Sequence, residues 1–377
     1  MPRRPQSKPP VLPGFAYVRP LGAGGFADVF LYEQDMPRRI VAVKVLTVDA
    51  VDQATRARFA AEADAMARLS AHPSILTVYE ASISSDGRPY LATEFCPESM
   101  GERYKQGPLP IGLVLDTGVR MAGALETAHR SGVLHRDIKP SNILITTLGQ
   151  PVLADFGIAT IPFAEEDRAV AMSVPWSSPE VVSEAATGTV RSEVWSLGAT
   201  LYTLLAGRSP FAVPQRERNT RELMRGRVAK GGYTSIGRGD VPASVEALLA
   251  RTMARDPMHR PASMLELGEA LRALQAELGL MQTPLEVIVE QYSPTAPGSA
   301  FREGATTAPR GPVITSVAHE SRRHEHARRE AEMDAVEQHA VAARRRDAVK
   351  WLLLGAAGGL VIAGGLVLVL VLTGVLG

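Results

Sequence analysis

The chain has 377 residues, a formal net charge of +1 and a single cysteine, Cys96. That length holds one large two-lobed domain or two ordinary ones with appendages. The balanced charge gives no reason to expect a nucleic-acid partner, and one cysteine excludes both a disulfide framework and a cysteine-based zinc site. Residues 1–13, opening MPRRPQSKPP, are basic and Pro-rich and predict a flexible leader; no apolar stretch follows, so they do not read as a cleaved signal peptide. From 14 to 46, short apolar runs flank the Gly-rich turn LGAGGF and end in IVAVKVL, which predicts strands. Residues 52–70 predict an amphipathic helix with Phe59, Ala63, Met66 and Ala67 on one face. ILTVYEA and PYLATEF predict two further strands around the turn SSDGRP.

Beyond residue 109 helical patterns dominate. IGLVLDTGVRMAGALETAHRSG predicts a long helix stopped at Gly132, VWSLGATLYTLLAG a buried one, and VEALLARTM and MLELGEALRALQAEL two amphipathic ones. Short strands are predicted around LHRDIKPSNILI and PVLADFG. Residues 281–316, rich in Pro, Thr, Gly and Ala, predict a linker without a core of its own, holding Thr283 and Ser293 either as phosphate acceptors or as inert positions. Residues 317–350 predict a charged juxtamembrane helix. From Trp351 to Leu376 no residue is charged. A helix of that length spans roughly 39 Å, more than the ~30 Å hydrocarbon core, so 351–376 predicts a transmembrane helix.

Four stretches carry chemistry. In LGAGGFADVF, close-set glycines let backbone N–H groups approach phosphate oxygens; alone, such a stretch is only a turn between strands. Lys44 stands in the apolar strand VAVKV and must reach solvent or a partner, and Glu62 on the following helix is a natural counter-charge. In LHRDIKPSNILI, Asp137 suits a proton acceptor for a hydroxyl, Lys139 a neutraliser of phosphoryl charge, and Asn142 an oxygen ligand for Mg²⁺. ADFG supplies the carboxylate of Asp155, an apolar anchor in Phe156 and a glycine.

In this order and spacing the four stretches resemble the protein-kinase signature set. From about Gly14 to Leu280 the chain is similar to the eukaryotic-like Ser/Thr protein kinases of bacteria. The resemblance implies an α+β, two-lobed kinase fold. A small β-rich N-lobe with one helix covers 14–96, and a larger α-helical C-lobe covers 97–280. It implies ATP enclosed by Leu21, Gly22, Ala23, Gly24, Gly25, Val29 and Ala42, with the hinge at Glu94, Phe95 and Cys96 and the small Thr93 at its back. Lys44, paired with Glu62, would hold the α- and β-phosphates. Asp137 would act as catalytic base beside Lys139, Asn142 and Asp155 would hold Mg²⁺ or Mn²⁺, and Met66, His135 and Phe156 would stack as an apolar spine. The activation segment would contain Thr160 and Ser173, the latter near Asp137 and Lys139, and Glu180 in WSSPE would pair with Arg260 in DPMHRP. Protein hydroxyls are the implied acceptors.

Some positions depart from the pattern. Ala27 replaces the third loop glycine, Ser178 the usual Ala before Pro-Glu, and Glu193 an Asp that braces the catalytic loop. Glu165, Glu166 and Asp167 stand in the activation segment, either as a solvated loop or in place of a phosphate near Arg136. Ala27 and Glu193 lean toward a membrane-tethered pseudokinase scaffold, and the presence of Lys44, Asp137, Asn142 and Asp155 leans toward an active kinase. Arg344, Arg345, Arg346 and Lys350 precede the apolar run, so the expected orientation is a single pass with residues 1–350 cytoplasmic and one residue or none beyond. The basic cluster is expected to meet anionic lipid, and Gly355, Gly359 and Ala363 form a small-residue stripe suited to a homodimer.

Overall fold

The computed structural model describes residues 6–24, 27–46, 53–156, 173–185 and 188–288, without the side chains of 53–58, 61, 62 and 216. The chain divides into two compact units, 1–294 and 295–377, and the described residues all lie in the first.

The N-lobe is a five-stranded antiparallel sheet with one helix. Its elements are β1 (Phe15–Ala23), β2 (Ala27–Gln34), β3 (Arg39–Leu46), α1 (Gln53–Leu69), β4 (Val78–Ile83) and β5 (Pro89–Glu94), with sheet order β1-β2-β3-β5-β4. The two-residue period of a strand sorts β3: Val41, Val43 and Val45 are wholly buried in a small core with Phe30, Tyr32 and Tyr90, while Ala42 and Lys44 take the other face. Register then aligns Val29 with Lys44, Lys44 with Leu91, and Ala42 with Thr93. On α1, Ala63 and Met66 are buried as expected and Phe59 packs against the core, but Ala67 is exposed and Ala65 and Leu69 are buried in its place.

Within the expected flexible leader, residues 6–13 are seated on the lobe. Leu12 is buried in the N-lobe core, the Tyr32 hydroxyl donates to Pro10 O at 2.6 Å, and the backbone N–H of Ser7 donates to the buried Asp28 at 2.9 Å. Arg88, itself buried, donates to Ser7 Oγ at 3.0 Å and Lys8 O at 2.9 Å. A Pro-rich segment needs few internal hydrogen bonds, so these side-chain donors and one apolar anchor suffice to seat it.

The C-lobe comprises β6 (Glu98–Ser99), α2 (Met100–Gln106), α3 (Ile111–Arg130), β7 (Ile143–Ile145), β8 (Pro151–Leu153), α4 (Pro179–Val182), α5 (Val190–Ala206), α6 (Arg221–Lys230), α7 (Ala243–Thr252) and α8 (Met264–Glu277). Its helices begin and end where local chemistry requires. Ser99 with Glu102, and Thr189 with Ser192, close reciprocal N-terminal caps, and Gly207 ends α5 in the left-handed region at φ 69°. α5 is apolar on nearly every side and runs through the centre of the lobe, which buries Trp195, Leu197, Leu201 and Leu204 completely or almost so. β6, β7 and β8 form a small sheet, and the loop after α1 adds to it through a parallel bridge between Ile75 and Leu153.

The domain does not stop at Leu280. Residues 281–288 pack on the lobe: Thr283 is buried and Leu285 joins the apolar core, so the expected boundary and linker start shift by eight residues. Thr283 therefore offers no free hydroxyl; Ser293 lies outside the described residues. Among the described residues no helix is long and apolar enough to cross a membrane, and 317–350 and 351–376 lie outside them.

Candidate active site

The floor of the cleft is built from backbone in a conformation most side chains avoid. Arg136 and Asp155 both have positive φ, 66° and 58°. Such residues cost of order 1 kcal/mol or more unless their surroundings hold them. Glu193, buried beneath, accepts from the Arg136 N–H at 2.6 Å through Oε1, and its Oε2 lies 2.6 Å from His129 Nε2. The extra methylene of Glu193, which sequence reading treated as a misfit, lets one carboxylate serve both the catalytic loop and α3. His129 was not foreseen. The signal was present in its place near the end of a buried helix.

The neighbouring ring of His135 ties the two catalytic stretches together. Its Nε2 donates to Ala154 O at 3.0 Å, while Nδ1 accepts from the Asp137 N–H at 3.3 Å. Complete burial pushes this imidazole below its ordinary pKa, so it stays neutral, as both bonds require. Its ring stands 4.7 Å from that of Phe156, which is wholly buried, so the His135–Phe156 part of the expected apolar spine is in contact, and Met66 lies in the same core as Phe156.

Onto this frame fall the polar groups. Lys139 Nζ donates to Asp137 Oδ2 at 2.6 Å and to Ser173 Oγ at 2.9 Å, so Lys139 links Asp137 to Ser173. Asn142 Nδ2 donates to Asp137 O at 2.8 Å and to its Oδ2 at 3.1 Å, and the amide oxygen of Asn142, 3.5 Å from Ser141 Oγ, keeps a lone pair for a cation. The backbone of Asn142 accepts from Ala154 N–H at 2.9 Å, holding the two metal-ligand candidates side by side. Lys44 Nζ lies 2.7 Å from Asp155 Oδ1, and the charge of that ammonium holds the carboxyl below its usual range. Asn142 and Asp155 offer two oxygen donors, and among the described residues no larger cluster of metal-ligating side chains exists. That set suits Mg²⁺ or Mn²⁺, which take one or two carboxylate or amide oxygens and complete their shell with phosphate and water.

The roof is the β1–β2 turn. Gly24 N–H donates to Ala27 O at 2.8 Å, and a Cβ on Gly24 would stand 3.2 Å from that oxygen. Gly22 and Ala23 are exposed. Ala27 is not among the residues with positive φ, so no glycine is needed there and the substitution costs the loop little. Leu21, Val29 and Ala42 are half-buried on the cleft side of the sheet. At the back, Thr93 is buried with its hydroxyl 3.4 Å from Ala42 O. At the hinge, burial raises the Glu94 carboxyl, and burial followed by the nearby Glu94 charge pushes the Cys96 thiol up to about 12. Gly25, Thr160, the Glu165–Glu166–Asp167 run and the Glu62 side chain lie outside what is described, so the Lys44–Glu62 pair rests on sequence.

Two supports frame the site. Arg260 clamps Glu180 with two hydrogen bonds of 2.7 and 2.9 Å, as the sequence predicts. On the other side Gly101 of α2 touches the catalytic loop: a Cβ there would stand 2.8 Å from Ser141 Cα and 2.9 Å from Ser141 N. Both atoms are backbone, so the loop itself must move. Gly101→Ala is expected to lower kcat by about 10²-fold, the usual cost of a 1 Å misplacement, with the ATP KM nearly unchanged; steady-state kinetics check this.

Residues 15–272 match the protein kinase domain family. The serine/threonine-protein kinase PknK of Mycobacterium bovis is 39% identical over 311 residues, which cover 80% of this chain and 28% of that kinase. PrkC of Bacillus subtilis is 32% identical over 252 residues, covering 65% of this chain and 38% of its own length. For pkn2 of Myxococcus xanthus the figures are 34% over 282 residues, 70% and 33%. The chain thus spans well under half the length of these curated relatives. The family match over most of the chain and these relatives show that the chain belongs to the protein kinase family, and its domain is of the bacterial Ser/Thr type.

Proposed function

We propose that the chain transfers the γ-phosphate of ATP to serine and threonine hydroxyls of proteins, its own included, as part of a signalling route at the cytoplasmic face of a membrane. The observation that carries the catalytic part is the convergence of Lys44, Asp137, Lys139, Asn142 and Asp155 on one cleft. Both side-chain hydrogen bonds of Asp137 fall on Oδ2, which leaves Oδ1 to accept the proton of an incoming hydroxyl. Lys139 faces the same point and offsets charge on the group in transfer. Lys44 rests on Asp155, and its ammonium would hold the α- and β-phosphates of ATP. Asn142 and Asp155 would hold Mg²⁺, which would supply neutralisation of phosphate charge.

The membrane part rests on the uncharged run 351–376 and the basic residues Arg344, Arg345, Arg346 and Lys350 before it. The same cluster supports contact with anionic lipid, and the Gly355, Gly359, Ala363 stripe supports pairing of two chains. One experiment tests both parts. Full-length protein is expected to stay in carbonate-washed membranes and, once purified, to pass labelled phosphate from ATP to itself and to a generic basic protein. Chelating Mg²⁺ should abolish the label and re-adding it should restore it. Release by carbonate would overturn the anchor alone; folded protein that never labels would overturn the kinase reading.

A further inference from the structure

The segment after the last helix, 281–288, is seated far more closely than its composition requires. The Thr283 hydroxyl donates to Asp116 Oδ1 at 2.7 Å and accepts from Gln275 Nε2 at 2.8 Å, while its N–H donates to Gln275 Oε1 at 2.9 Å. Two helices give up side chains to receive it. A Cβ on Gly268 of α8 would stand 2.7 Å from Leu285 Cδ1, and a Cβ on Gly123 of α3 would stand 2.2 Å from Glu286 O. The three atoms nearest that second position all belong to Glu286. Ile288 N–H then donates to Thr127 Oγ1 at 3.0 Å.

At Glu286 the segment reaches a different part of the domain. His72, in the loop between α1 and β4, is buried and its Nε2 lies 2.9 Å from Glu286 O. The Ser74 N–H donates to Nδ1 of the same ring at 3.0 Å, so the ring proton sits on Nε2 and is given to Glu286. The loop continues the chain of bonds: Leu153 N–H donates to Ser74 O and Leu76 N–H to Leu153 O, each at 2.9 Å. Leu153 ends β8, two residues before Asp155. At its other end the loop is tied to α1, with His72 N–H donating to Leu69 O at 3.0 Å.

We infer that residues 281–288 are a positioning strap: the Glu286 carbonyl, through His72, holds the α1–β4 loop against β8 and so sets where Asp155 stands in the cleft. None of these residues touches the reacting atoms. The kinetic consequence rests on the kinase reading; the structural one does not.

The test uses the full-length chain with Gly123→Ala, which places a methyl where the carbonyl sits, and His72→Phe, which keeps a ring but removes the donor. Alanine is the better helix former, so α3 itself is not weakened by the first change. Glu286→Ala is the control, because only the backbone of Glu286 is used. Hydrogen–deuterium exchange is followed without nucleotide or metal, beside the Mg²⁺ concentration that gives half-maximal phosphate transfer. In both variants, faster exchange is expected over 70–78 and 151–156, and in Gly123→Ala also over 283–288. The Mg²⁺ requirement should rise about fivefold, with the rate recovered at saturating Mg²⁺, and Glu286→Ala should behave as wild type. Faster exchange confined to 283–288 with an unchanged Mg²⁺ requirement would make the segment mere packing and overturn the inference. So would a strap still fully protected in Gly123→Ala. If the wild-type chain transfers no phosphate, the kinase reading fails, and the exchange over 70–78 and 151–156 still decides the strap.

Discussion

Asp137→Asn is expected to lower phosphate transfer by about 10²–10⁴-fold, the range for losing a general base, which corresponds to roughly 3–5 kcal/mol of barrier. The geometry says why the loss is chemical rather than structural. Lys139 and Asn142 both donate to Oδ2 of Asp137, so in the variant the amide oxygen must take that place. The amide nitrogen is then left toward the acceptor hydroxyl, where it presents a donor instead of a proton acceptor. The loop keeps its bonds: His135 and Glu193 still hold the backbone on either side of Arg136. Single-turnover transfer from labelled ATP should collapse while the melting temperature and nucleotide affinity stay near wild type. A variant within tenfold of wild type in that assay would remove Asp137 from the role of base.

Arg260→Ala is expected to destabilise the domain by about 3–5 kcal/mol, a large part of the ~5–15 kcal/mol that folded domains possess. Arg260 is buried and spends every donor: two on Glu180, and others on Ala254 O at 2.7 Å, Arg191 O at 3.0 Å and Arg255 O at 3.1 Å. Its guanidinium also lies 4.9 Å from the centre of the Trp195 ring at the core of α5. Truncation would strip the Glu180 carboxylate of its counter-ion, take a donor from each of three carbonyls, and leave a void beside Trp195. A fall in melting temperature of roughly 10–15 °C follows for a domain of this size. Arg260→Lys should not rescue it, since one ammonium cannot span the same fork. Burial alone would raise the Glu180 pKa, but the bonds and charge of Arg260, with further contributions from the Glu180 backbone and Ser178, together outweigh it and the net shift is downward. The pair's contribution is therefore present above the unfolded carboxyl value of about 4.3 and is lost as pH falls below it. The gap between variant and wild type should accordingly shrink in acid, which thermal melts across pH would show.

The catalytic centre was legible because its chemistry is local. Asp137, Lys139 and Asn142 lie within six residues, and the strand that carries Lys44 shows its two-residue period directly. What escaped depends on partners distant in sequence. Leader and tail look alike in composition, poor in periodic apolar residues, yet single anchors such as Leu12 and Leu285 seat them in sites built by other elements. The clearest missed signal was glycine inside helices. Gly101, Gly123 and Gly268 each cost their helix about 1 kcal/mol relative to alanine, and each marks a place where another segment comes too close for a side chain. Ala67 was misassigned for a smaller reason: the buried stripe of α1 runs through positions 63, 66 and 69, three apart, rather than stepping by four to Ala67. Glu193 was read against an expected Asp and so as a defect, because its second partner, His129, lies 64 residues away.

The hinge also bears on how this cleft would be targeted by small molecules. A cysteine beside the adenine site invites electrophilic warheads, and such groups react with thiolate rather than thiol. With the Cys96 thiol pushed up to about 12, thiolate is scarce at neutral pH. Acrylamide-type compounds aimed at Cys96 should therefore label it slowly. Selectivity is better sought by reversible ligands that meet the short, buried side chain of Thr93.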